Sequence, residues 1–175
     1  RLKNVRARVP DVDGNVQLNA DVQAQLLAPG ADPRVQLTAV NGTFNARDLR
    51  LQQRTLGELN ARVSTQGNQM DFQADSNFAG SNIRAEGRTT LDGMYTTTAN
   101  LNIANLPVDQ VLQVANQRDL EVKGTLGLRG QVSGNLREQS ATADLELTRA
   151  TYRTQPIDRL QSHIEYTPDR VEVSG

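Results

Sequence analysis

Residues 14–26 read Gly-Asn-Val-Gln-Leu-Asn-Ala-Asp-Val-Gln-Ala-Gln-Leu. Val16, Leu18, Ala20, Val22, Ala24 and Leu26 are apolar, and every residue between them is polar. Side chains alternate between the two faces of a β-strand, so a strict period of two predicts one long strand with one greasy face. Val16 to Leu26 at about 3.3 Å per residue reaches roughly 36 Å, about twice the usual strand. The fold therefore reads as a series of long, one-sided strands.

The same period runs outward from this stretch. Val5, Ala7 and Val9 suggest a short strand ahead of Pro10 and the Asp13-Gly14 turn signal. After the loop Ala28–Pro33, the row continues through Val35, Leu37 and Ala39, then Gly42, Phe44 and Ala46, before moving to Leu49 and Leu51. That last change of phase is how a β-bulge looks in sequence. Leu59, Ala61, Val63 and Thr65, the turn Gln66-Gly67-Asn68, and Met70, Phe72 and Ala74 predict a hairpin. Ile83, Ala85, Gly87, Thr89 and Leu91, then Asp92-Gly93, then Thr97, Ala99, Leu101 and Ile103 predict a second.

Only one segment departs from this period. Val108, Val111, Leu112 and Ala115 recur at helical spacing, with Pro107 ahead and Asn116 behind, which predicts one short amphipathic α-helix. The alternation resumes from Leu120 and Val122 through Leu126, Leu128, Val132 and Gly134. It continues in Ala141 to Leu147, Leu160 to Tyr166, and Val171 with Val173.

An internal repeat is visible in these rows. Phe44, Leu51, Leu59, Val63, Met70 and Phe72 match Leu145, Tyr152, Leu160, Ile164, Val171 and Val173 at a constant separation of 101. The phase slip after Ala46 recurs after Leu147. Val16 to Leu26 aligns with Val122 to Val132 at 106. The chain thus reads as a single domain over 1–175 with a repeat of 14–74 in 120–175, and as a piece of a longer repeat protein.

Composition narrows the function classes. The net charge of -1, with scattered Lys and Arg, lacks the basic patch of a nucleic-acid binder. Without any Cys there is no thiolate nucleophile or thiolate metal site, and the one histidine, His163, lies on a polar row of its strand. Asp71, Asp75, Asp144 and Glu146 are spaced along polar rows as solvated residues, not as a catalytic pair. Gly124, Gly127, Gly130 and Gly134 lack the Lys-Ser/Thr and following helix of a phosphate loop. We expect no enzyme, cofactor or metal.

Aromatic residues make up only 3% of the chain, too few for the girdles of a membrane barrel. Long one-sided strands poor in rings leave a filled sandwich or solenoid, or a sheet folded over an apolar channel with room for a flexible hydrocarbon tail. We expect an all-β fold in which long antiparallel strands curve into a taco-like or tubular sheet around an apolar interior groove. The groove residues are Val16, Leu18, Ala20, Val22, Leu26, Leu59, Val63, Met70, Phe72, Ile83, Leu91, Leu101, Ile103, Leu126, Leu128, Val132, Leu145, Leu147, Ile164, Val171 and Val173.

Several stretches, Leu49-Arg50-Leu51 through Thr55-Leu56-Gly57-Glu58-Leu59, Gly87 to Leu91 with Asp92-Gly93, Ala104-Asn105-Leu106-Pro107-Val108 and Leu126-Gly127-Leu128-Arg129-Gly130, carry a family resemblance. The chain resembles the TamB and AsmA-like family, bacterial relatives of bridge-type lipid-transfer proteins. The resemblance is one of pattern over nearly the whole chain, with no invariant motif. It implies the periplasmic portion of an inner-membrane-anchored protein of a Gram-negative bacterium, working with an outer-membrane TamA-type barrel. The implied function is a non-enzymatic conduit that shields phospholipid acyl chains between the two membranes in outer-membrane biogenesis. The alternative is a structural module guiding outer-membrane protein assembly by strand pairing.

Overall fold

A computed structural model describes residues 12–30, 34–51, 54–115, 117, 121–135 and 138–175. The expected strand at Val5 to Val9, the end of the helix at Asn116 and Leu120 lie outside these residues. The described residues form ten strands. In chain order they are β1 (Val12–Leu26), β2 (Val35–Leu51), β3 (Arg54–Gln66), β4 (Gln69–Ser76), β5 (Asn82–Thr90), β6 (Thr97–Pro107), β7 (Val122–Gly134), β8 (Gln139–Tyr152), β9 (Gln155–Thr167) and β10 (Arg170–Ser174). One short helix, α1 (Val108–Val114), separates β6 from β7, and a 3-10 turn at Phe78–Gly80 links β4 to β5. Each strand pairs antiparallel with its sequence neighbours, giving one open sheet of order β1 to β10.

Strand length follows the alternation, and bulges mark where it slips. Ala46 pairs with Leu59, but Leu49 pairs with Gly57, so the phase change after Ala46 is a bulge. A second slip, between Gln23 and Ala24, moves the inward row of β2 from Val40 to Leu37, a change blurred by the apolar Ala39 between them. β6 carries a third between Ile103 and Leu106. At each of Asp48, Asn105 and Arg149 the backbone turns left-handed, with φ of 54°, 57° and 49°. The next residue turns inward at Leu106 and Ala150, which are buried. Such bulges bend the strands they interrupt, so the sheet is curved.

β4 and β5 are shorter than the strands around them, and the two notches are filled. At one rim β2 overshoots the Gly67-Asn68 turn, and the loop between β5 and β6 lies over that turn. Leu91 N–H donates to Asn68 O at 2.6 Å. Gln36 Nε2 donates to Leu91 O at 3.1 Å, and Leu37 N–H to the Tyr95 hydroxyl at 2.8 Å. Leu91 therefore sits in a loop, not on a strand row as the sequence suggested. The turn chemistry starts one residue before Asp92-Gly93, and Leu91 is 5% exposed as the plug of this notch. At the opposite rim α1 reaches back toward β3, where Arg54 Nη1 donates to Gln113 Oε1.

The registers make the repeat a matter of pairing. Phe44↔Ala61, Leu51↔Arg54, Val63↔Phe72 and Thr65↔Met70 recur as Leu145↔Ser162, Tyr152↔Gln155, Ile164↔Val173 and Tyr166↔Val171. For the strand upstream, Val12↔Leu51 and Leu18↔Phe44 recur as Val122↔Tyr152 and Leu128↔Leu145. β7 thus follows β1 by 110 positions, not the 106 that the rows alone suggest. Period-two rows align equally well after any even shift, and only the cross-strand partners fix which one holds. Gly14 and Gly124 occupy the same bulge, with φ of 159° and 148°.

Candidate functional site: one apolar sheet face

Residues directly opposite in an antiparallel pair share a face. One row runs Leu18, Phe44, Ala61, Ala74, Ala85, Leu101, Gly130, Ala143, Ile164, Val173, crossing all ten strands without a polar residue. The next, also unbroken, runs Ala20, Gly42, Val63, Phe72, Gly87, Ala99, Val132, Ala141, Tyr166, Val171. A third runs Val16, Ala46, Leu59, Ser76, Ile83, Ile103, Leu128, Leu145, Ser162. Leu106, Leu126, Leu147 and Leu160 make a shorter row beside it. Val22 pairs with Val40, Leu26 with Val35, and Met70 with Thr89, on the same face.

Every residue expected in the groove except Leu91 therefore stands on this one face. Leu106 and Val40 also belong to it and were not singled out. For Leu106 the signal was present: Ile103 and Leu106 are three apart, as are Ala46 and Leu49.

The opposite face is polar along its whole width. Asn19, Thr43, Arg62, Gln73, Glu86, Asn100, Gln131, Thr142, Glu165 and Glu172 form one such row. Arg88 meets Asp71 at 2.7 Å and Arg159 meets Glu146 at 2.6 Å across neighbouring strands. His163 lies here too, its Nδ1 2.6 Å from Asp144 Oδ1 and its Nε2 3.3 Å from Glu165 Oε1. The hydrogen bond to Asp144, then that to Glu165, raises the His163 pKa above its ordinary value. Among the described residues no group of three or more His, Cys, Asp and Glu is arranged to hold a metal ion.

Among the described residues nothing fills the apolar face. No large side chain is fully buried, and strands pack on their sequence neighbours with no second layer across the face. The accessible surface is 13,026 Å². A compact protein of this mass would expose roughly 8,400 Å². The sheet is not closed, and on its edge strands the residues expected to line the groove stand open to solvent. Leu18 is 72% exposed, Leu26 80%, Val171 63% and Val173 68%. Among the described residues they have a neighbouring strand on one side only and nothing above them. Inner strands differ, for Ile83, Ala85 and Gly87 of β5 are half-buried while Arg84, Glu86 and Arg88 on the reverse face are exposed.

Beside α1 a cavity of about 670 Å³ opens between the strand ends, its lining including Leu51, Leu56, Leu112 and Val122 together with Arg54, Asp109, Glu121, Lys123 and Arg153. Among the described residues no helix is long and apolar enough to cross a membrane. No protein-family model matches the chain, and neither a curated protein nor a solved structure matches it.

Proposed function

We propose that the apolar face is a non-enzymatic track for hydrocarbon chains, with phospholipid acyl chains as the cargo. The observation that carries this reading is the pair of ten-residue rows, wholly apolar and unfilled. A contiguous exposed apolar face of this size is expensive in water and marks an interaction surface. A sixteen-carbon tail in water costs on the order of 12 kcal/mol at about 0.8 kcal/mol per CH₂. A track of Ala, Val, Leu and Gly removes most of that cost evenly along its length. A cluster of rings would instead make a deep pocket, and only Phe44, Phe72 and Tyr166 of the six rings stand on these rows. Half-burial of the inner apolar residues, with no layer above them, supports placing this face on the inside of the bend. The periplasmic setting between two membranes, within a longer anchored protein working with a TamA-type barrel, belongs to the same proposal.

Native mass spectrometry of the purified chain is the test. Co-purified phospholipid is expected, and it should be lost in Val22→Glu and Leu128→Glu variants whose circular dichroism remains that of a β-sheet. A lipid-free protein that also takes up no phospholipid from vesicles would end the proposal.

A second reading has its own observation. The outer edges of β1 and β10 have no strand beside them among the described residues, so the sheet offers backbone hydrogen-bonding groups to an incoming strand.

A further inference from the structure

We infer that the free edge of β10 is shaped for a β-strand of one kind: a strand patterned like β5, opening a hairpin like β5–β6. β7 to β10 repeat the pairing of β1 to β4, so β10 stands where β4 stands, with Val171 at the position of Met70 and Val173 at that of Phe72. The edge that is free in β10 is the one that β4 gives to β5.

The side chains carry the equivalence to the partner's chemistry. Across the β4–β5 edge Asp71 meets Arg88 at 2.7 Å. Glu172 holds the Asp71 position, and its cross-strand neighbour on β9 is Glu165, a like charge. Like charges directly opposite are unfavourable, and Arg170 on the same strand is the cation that Glu172 meets. A cation at the Arg88 position of an incoming strand would face Glu172 from the open side. On the apolar face Gly87 makes room for Phe72, whose Cζ would lie 2.4 Å from an added Cβ. Val173 is shorter than Phe72, so Gly or Ala fits opposite it.

Exposure shows how open this edge is. Val171 and Val173 are 63% and 68% exposed, whereas Met70 and Phe72, flanked by β5, are half-buried. The matching strand has a small residue facing Val173, a cation facing Glu172 and a β-branched residue facing Val171, as in Gly87-Arg88-Thr89. Such a strand would carry the apolar rows one step further. The edge is independent of the lipid proposal, since backbone pairing needs no cargo.

The chain has no cysteine, so cross-linking has no background. Gly175 holds the Ala74 position, and a second copy of residues 75–107 appended after it keeps the native spacing. Val171→Cys with Thr89→Cys of the appended copy should react with a short thiol cross-linker at least tenfold faster than Val171→Cys with Ile83→Cys of that copy. The latter pair is offset by six residues, about 20 Å along the strand. Adding Glu172→Lys should slow the matched reaction about two- to fivefold. Amide exchange in β10 should slow when the copy is present. Equal rates for the two cysteine pairs, or β10 amides exchanging as in the unextended chain, would overturn the inference. Bound lipid is read separately on the unextended chain, so failure here and failure of the track are distinct results.

Discussion

His163 shows what one residue on the polar face does. Two carboxylates hold its imidazole, and both favour the protonated ring. Because its folded pKa lies above the unfolded value near 6.5, its stabilising contribution is complete below that value and fades as pH rises through the folded pKa. It is the only histidine, so its proton resonances titrate without overlap. The midpoint should lie above 6.5 and move back toward that value in Asp144→Asn. The stability difference between the native chain and His163→Gln should be larger at pH 6 than at pH 8.5. The polar row was legible from alternation. The partner Asp144, nineteen positions away, was not, because only the β8–β9 register sets it opposite.

Bulges are the elements that shape the sheet, and several depend on a backbone that few side chains tolerate. Gly124 has φ of 148°, and an added Cβ would lie 3.0 Å from Ala150 Cα and 3.1 Å from Leu147 Cδ1. Gly124→Ala should destabilise the protein by about 1–3 kcal/mol in urea denaturation, through strain and crowding together. Gly14→Ala meets the equivalent bulge, where the nearest atom is the mobile Leu49 Cδ2 at 2.8 Å. Its cost should be smaller, since β1 is an edge strand that shifts with little loss. The slip after Ala46 was readable because the apolar row changed parity. The slip near Ala39 left the same sign, since Leu37 is odd and Gly42 and Phe44 are even, but the alanine blurred its place by making the first row seem to run on to residue 39.

At the scale of the whole molecule, the unusual quantity is how little surface folding removes. An unfolded chain of this mass exposes roughly 28,000 Å², of which a compact fold of 175 residues would hide about 70%. With 13,026 Å² still accessible, this chain hides only about half. Denaturant sensitivity scales with the surface exposed on unfolding, so the urea m-value should fall about a fifth to a quarter below that of a compact protein of equal length. An m-value at the compact expectation would mean that the apolar face closes on itself in solution. Bound acyl chains should raise both the m-value and the midpoint, because they add apolar area that unfolding must expose.

The period of two in Val16 to Leu26 and its successors settled the β class, the position of α1 and which residues share a face, since a strand has only two sides and the alternation states which is greasy. The repeat of 101 residues was legible for the same reason. Whether the face is covered was decided only by the tertiary structure. Burial depends on what lies above a residue, and among the described residues nothing does, so edge residues that read as interior stand 58–80% exposed on β1. The separation of 110 between β1 and β7 and the place of Leu91 in a loop belong to the same category. Alternation is blind to any even shift of register, and only hydrogen-bonded partners from distant parts of the chain remove that freedom.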